Sequence, residues 1–142
     1  MVVGDGDARA HALVEATRKA LKYAMVTIHA GATTGDFGSA VETVANENGY
    51  TIPPELGGHG VGAAQHENPF IPNVGDPGQG DTFREGQVIA VEPIFSEGAD
   101  PRIALGDDGF AYSAADGSRS AHFEHTLLVT TSAPVIVTGP MW

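Results

Sequence analysis

The chain has no cysteine, which rules out disulfides and zinc-thiolate centres and is compatible with a reducing compartment. Basic residues are scarce. Seven lysines and arginines stand against eighteen aspartates and glutamates, giving a formal net charge of −11 and a pI near 4.7. Affinity for a phosphate backbone rests on clustered lysine and arginine, so this balance argues against nucleic acid as a partner. No apolar run approaches the ~20 residues that a membrane span requires, and Met1-Val2-Val3-Gly4-Asp5 lacks the basic-then-apolar design of a secretory leader. The expectation is a soluble, cytoplasmic chain with no membrane contact. Residues 1 to 22 hold Arg9, Arg18, Lys19 and Lys22 against three acids, so the rest of the chain is the acidic part. Its ordinary role is a solubilising surface, although it would also attract cations or a free amine.

With 142 residues, 42% of them hydrophobic, the chain is long enough for one core, and residues 1–142 are read as a single domain. Asp7 is a candidate N-cap for a long helix. Beyond it Leu13, Val14, Thr17, Leu21, Ala24, Met25 and Ile28 recur with a period near 3.6, and Gly31 is the expected C-cap. Asp36 starts a second helix with Phe37, Ala40, Val41, Val44 and Ala45 on one face, and Gly49 ends it. From Tyr50 the period changes. Tyr50–Ile52 is strand-like, residues 57 to 80 are loop-rich, and strands are predicted at Gln87–Glu92, Arg102–Leu105, Phe110–Ser113, His122–Thr131 and Val135–Thr138. Helices first and strands afterwards predict an α+β domain, with two amphipathic helices on one face of a mostly antiparallel, curved sheet. The tail Gly139-Pro140-Met141-Trp142 either frays or docks.

Chemistry concentrates in Gly57-Gly58-His59-Gly60-Val61-Gly62, continued by His66-Glu67-Asn68-Pro69. Glycines in this density bury nothing; they admit a close backbone approach around one imidazole. Two glutamates are equally out of place. Glu92 follows Val88-Ile89-Ala90-Val91, and Glu124 lies in Phe123-Glu124-His125-Thr126-Leu127-Leu128-Val129. An unpaired carboxylate in such a run costs several kcal/mol if buried. Either an arginine (Arg84, Arg102 or Arg119) neutralises each one, or His59, Glu92 and Glu124 share a divalent cation. A phosphate cradle is disfavoured, because no Lys-Ser/Thr pair follows the glycines.

Three motifs in order carry a family resemblance: Gly58-His59-Gly60-Val61-Gly62 with His66-Glu67-Asn68-Pro69, then Val91-Glu92-Pro93, then Asp116 to Thr126 with Ser120-Ala121-His122-Phe123-Glu124-His125-Thr126. Together they resemble the methionine aminopeptidases of the pita-bread metallopeptidase family, with the match closest to the type I branch. The resemblance implies a hydrolase that removes an N-terminal residue, methionine above all, from a peptide or nascent protein. It implies His59, Glu92 and Glu124 as ligands of Mn, Fe, Co or Zn, with Glu124 bridging two ions and Glu92 accepting the proton of the attacking water. His66 would contact the scissile carbonyl, and Phe110 would wall the side-chain pocket. His125 is expected to be a satisfied strand histidine, and His11 and His29 helix-surface residues.

Two departures qualify this. Gln65 stands where the family commonly has an aromatic, which leaves substrate preference open. The family's two aspartate ligands, which precede the first long helix, have no counterpart: Asp5 and Asp7 read as helix-start residues. The chain therefore resembles the C-terminal half of the pita-bread domain with the aspartate-bearing half absent. One ion is expected and a second is doubtful. A homodimer or a complementing N-terminal half is the expected partner. The alternative reading is a non-catalytic metal-binding or assembly module.

Overall fold

The computed structural model describes residue 2 and residues 4–139; the tail from Pro140 to Trp142 lies outside them. Helix α1 spans Ala8–Met25. Asp7 caps it, its carboxylate accepting from the Ala10 N–H as expected. The helix stops at Met25 with Val26 as C-cap, six residues before glycine ends the pattern: Gly31 (φ 95°) turns the connection instead. Ile28 is nevertheless fully buried, which is why the periodicity ran on past the helix end. Helix α2, Thr34–Asn48, starts two residues earlier than expected. Thr33 and Asp36 form a reciprocal capping box there, and Gly49 closes the far end in the left-handed region at φ 71°.

Asp36 also accepts from the Gly78 N–H, tying the helix start to the loop that follows the second strand. These bonds favour the ionised carboxylate, and its pKa is lowered, chiefly by the Thr33 N–H. Asp36→Ala should destabilise the fold by about 1–2 kcal/mol in urea titrations near neutral pH. A depressed folded-state pKa contributes stability above the unfolded value, so the difference between the two proteins should begin to shrink as pH falls below that of a free carboxylate and disappear as it falls through the depressed value of the folded state.

Among the described residues nine strands follow: β1 Gly57–Gly60, β2 Glu67–Pro72, β3 Val88–Val91, β4 Ile94–Ser96, β5 Ile103–Leu105, β6 Tyr112–Ala114, β7 Ser120–His122, β8 His125–Leu128 and β9 Val135–Ile136. They form a five-stranded sheet in the order β2-β1-β3-β8-β9 and two two-stranded ribbons, β4-β7 and β5-β6, all antiparallel. Tyr50–Ile52 contributes only a bridge, Thr51 to Ser96. The greatest difference from expectation is the stretch from 57 to 80, read as loop, which supplies β1 and β2. Its glycines serve neighbouring strands: a methyl group at Gly58 would collide with the Ala90 carbonyl, and one at Gly60 with that of Asn68. β1 is a central strand too tightly flanked to tolerate side chains at those positions.

The predicted strand His122–Thr131 is also divided. β3 pairs with β8 up to Val91 and His125, and β4 pairs with β7 from Ile94 and His122 onward. Pro93 lies between and has no N–H to offer; only the Phe123 N–H to Pro93 carbonyl bond crosses the gap. Both ladders keep one register, so Glu92 and Glu124 face each other in the break.

The core lies between the helices and one face of the sheet. Leu13, Leu21, Phe37 and Val41 pack with Ile71, Ile89, Val91, Leu127 and Val129. Side chains alternate along a strand. With Ile89 and Val91 on the helix face, Ala90 and Glu92 belong to the opposite one, as does His59, whose Cα pairs with Ala90. Alternation explains how a carboxylate can follow an apolar run without entering the core.

Candidate metal centre

Four side chains converge on the sheet face away from the helices. His59 comes from β1, Glu92 from the end of β3, His122 from the end of β7 and Glu124 from the residue before β8. His59 and Glu92 are mostly covered, their side chains 14% and 17% exposed, whereas His122 and Glu124 are 47% and 45% exposed. Asn73, fully buried, donates to the Glu92 carbonyl and so fixes the backbone at the break.

No arginine neutralises these glutamates among the described ion pairs. Arg102 pairs with Asp100, and Arg119 with Glu97 and Asp7. The partners of Glu92 are two imidazoles: His59 Nε2 lies 3.4 Å from Oε1, and His122 Nε2 lies 3.4 Å from Oε2. His122 Nε2 is also 3.9 Å from Glu124 Oε2. The His122 pKa is raised, first by its hydrogen bond to Glu92 and further by the charges of Glu92 and Glu124, against the opposing effect of burial.

Whether these residues suit a cation can be judged at His59. Its Nδ1 lies 2.8 Å from the Gly60 carbonyl, which can only accept, so Nδ1 carries the hydrogen. In the neutral ring Nε2 then presents a lone pair to a carboxylate oxygen. Two acceptors confront each other, and only a proton or a metal ion between them resolves the contact. A backbone carbonyl behind the imidazole is also the usual support for a metal-binding histidine. The residues fit a divalent ion.

His66 precedes β2 and is exposed; its ring packs edge-on against His59, with centroids 4.3 Å apart. A bulge between His59 and Gly60 shifts the β1-β2 register, and the Glu67 carboxylate holds the intervening loop by accepting from the Ala64 N–H. His59, His66, Phe70 and Glu92 share the wall of an open groove of about 670 Å³, and a second groove of about 290 Å³, with Ile94, Ile103, Tyr112 and His122, meets it at Leu56 and Glu92.

Placement differs from expectation at several residues. Phe110 is 87% exposed in the β5-β6 turn and lines neither groove; Phe70 is the aromatic in the larger one. His125, as expected, is a satisfied strand histidine, buried in β8 with Nδ1 against the Thr138 hydroxyl. His29 lies in the turn beyond α1 and not on a helix. Sequence reading passed over His122. The signal was available: it lies two residues from Glu124, and residues two apart on a strand share a face.

Two carboxylates and an imidazole on one sheet face are the donor chemistry of a metal-dependent hydrolase. Comparison with known proteins makes the class specific: residues 1–131 match metallopeptidase family M24, and the chain belongs to that family. Methionine aminopeptidase of Aquifex aeolicus is 40% identical over 140 residues, covering 97% of this chain and 54% of that protein. Methionine aminopeptidase 1 of Mycobacterium tuberculosis is 38% identical over 133 residues, covering 89% and 50%. The crystal structure of methionine aminopeptidase from Thermotoga maritima superposes with a TM-score of 0.93 at 40% identity, over 99% of this chain and 56% of that one. Prolidase from Pyrococcus furiosus shares the fold, with a TM-score of 0.76 at 24% identity and 36% of that chain covered. The architecture is that of the pita-bread metallopeptidases, and the chain is methionine aminopeptidase-like. It spans about half the length of the curated relatives it matches. Membership of a metallopeptidase family implies use of a divalent metal. Among the described residues no helix is long and apolar enough to cross a membrane.

Proposed function

We propose that this chain is the ligand-bearing half of a metal-dependent aminopeptidase that removes an N-terminal residue, methionine foremost, from a peptide or nascent protein. The observation that carries the reading is the convergence of His59, Glu92 and Glu124 on one sheet face, with His59 Nε2 3.4 Å from Glu92 Oε1 and no arginine paired with either glutamate among the described ion pairs. His59, Glu92 and Glu124 would hold a Mn, Fe, Co or Zn ion. Such an ion supplies Lewis acidity towards a carbonyl and makes a water in its open positions a stronger acid. The chain's own contributions are then distinct. Glu92, with two oxygens at the meeting point of the grooves, accepts the proton released by the attacking water. His66, exposed beside His59, donates a hydrogen bond to the scissile carbonyl oxygen. The groove wall of Leu56, Phe70 and Asn68 orients the first side chain.

In this reading the family's two aspartates would come from outside residues 1–142, and they would complete the ligand set. A second reading is a metal-binding module that is not catalytic on its own, for which the converging donors His59, Glu92, His122 and Glu124 suffice. Turnover separates the two. Purified chain supplied with each of the four metals should release the first residue from tripeptides beginning with Met, Ala or Pro, and His59→Ala should not. A chain that binds metal but cleaves none of them, with every metal tested, would favour the module reading over catalysis by this chain alone; a chain that binds none of the four at micromolar concentration would end both.

A further inference from the structure

We propose that His122 is itself a metal ligand, so that the centre holds its cation through Glu92 Oε2, His122 Nε2 and Glu124 Oε2, with His59 on the other oxygen of Glu92. The inference rests on the metallopeptidase reading above and adds a nitrogen donor that the ordered motifs did not supply.

Three donor atoms, one from each of Glu92, His122 and Glu124, lie within 4.8 Å of one another, a closer set than the three ligands predicted from sequence. Nitrogen and carboxylate oxygen bind such ions at about 2.0–2.2 Å, which puts neighbouring donors on one ion roughly 3–3.6 Å apart. His122 Nε2 stands 3.4 Å from Glu92 and 3.9 Å from Glu124, at or near the separation of two donors on one ion. Backbone geometry brings the three together independently of rotamers. His122 and Glu124 are two apart, and Glu92 faces Glu124 across the Pro93 break, with His122 paired to Ile94 one step beyond.

Each oxygen of Glu92 has its own imidazole, so the two histidines flank one carboxylate. Two histidines and two glutamates give four protein donors.

Co(II) titration of the intact chain and its His122→Gln variant tests the assignment, with the imidazole resonances followed by NMR as the paramagnetic ion binds. Glutamine keeps a polar side chain of similar reach on a half-exposed strand position, so the fold is not at risk, and an unchanged circular dichroism spectrum would verify that. The wild type should show hyperfine-shifted signals from two imidazoles, His59 and His122. The variant should lose one and bind Co(II) at least about tenfold more weakly, the lower end of what disturbing a metal's ligand shell costs. Equal affinity with His122 unshifted would overturn the inference while leaving the metallopeptidase reading intact. Absence of any Co(II) binding by the wild type would overturn both.

Discussion

Glu92→Gln should remove measurable divalent-metal binding while leaving the fold in place. Both oxygens of Glu92 face a histidine Nε2 at 3.4 Å, and no other side chain in the cluster contacts both imidazoles. Replacing one oxygen by an amide NH2 removes a charge and a lone-pair donor at once. The loss should therefore exceed the ~10–100-fold that follows when only a hydrogen bond behind a ligand is lost. The apo protein has a different response. A glutamine amide can donate to the His59 lone pair that Glu92 leaves opposed to another acceptor, so local hydrogen bonding becomes complete without an ion. The two effects are read separately, metal affinity by direct titration and stability by urea unfolding of the metal-free protein. Retention of wild-type affinity would refute the central place given to Glu92. An unfolded variant would show instead that the carboxylate is needed by the fold.

Phe37→Ala should be the most damaging single change to stability, costing about 3–5 kcal/mol. The ring is fully buried in α2, where the helix meets the sheet, and truncation leaves a cavity that neighbours held by two helices and a sheet cannot close. Against a total of about 5–15 kcal/mol for an ordinary domain, that is a large share. Urea titration should show a lower midpoint with an unchanged slope. Phe37→Leu, which keeps most of the volume, should cost about 1.5 kcal/mol or less. Metal affinity of the folded fraction should not change, because the donors occupy the opposite face of the sheet. A loss below about 1 kcal/mol for Phe37→Ala would mean that α2 is not packed as described.

The amino-acid sequence by itself determined the two helices, their buried stripes and the cap at Asp7, because those signals are local and repeat every turn. It also determined the α+β order of elements, the family motifs, and three of the residues in the cluster. Their chemistry is unusual for where they stand: an imidazole among glycines and a carboxylate after an apolar run are conspicuous wherever the chain goes. Helix ends were less legible. Ile28 is buried by the loop it sits in, and burial alone leaves the same periodic mark as helix.

Tertiary structure decided the rest. Gly57–Gly60 looked like a loop because glycine density usually means one, yet these residues are a central strand whose bareness answers to the carbonyls of Ala90 and Asn68, residues distant in sequence or across a turn. The break at Pro93 acts through its partner strand, so the division of the predicted strand His122–Thr131 could not be read from that strand alone. Phe110, predicted to wall a pocket, lies exposed in a turn, and Phe70 takes a place on the groove. His122 enters the cluster for the same reason as Glu92 and Glu124 meet: a shared register holds across an interruption, and register is a property of paired strands that no single strand carries.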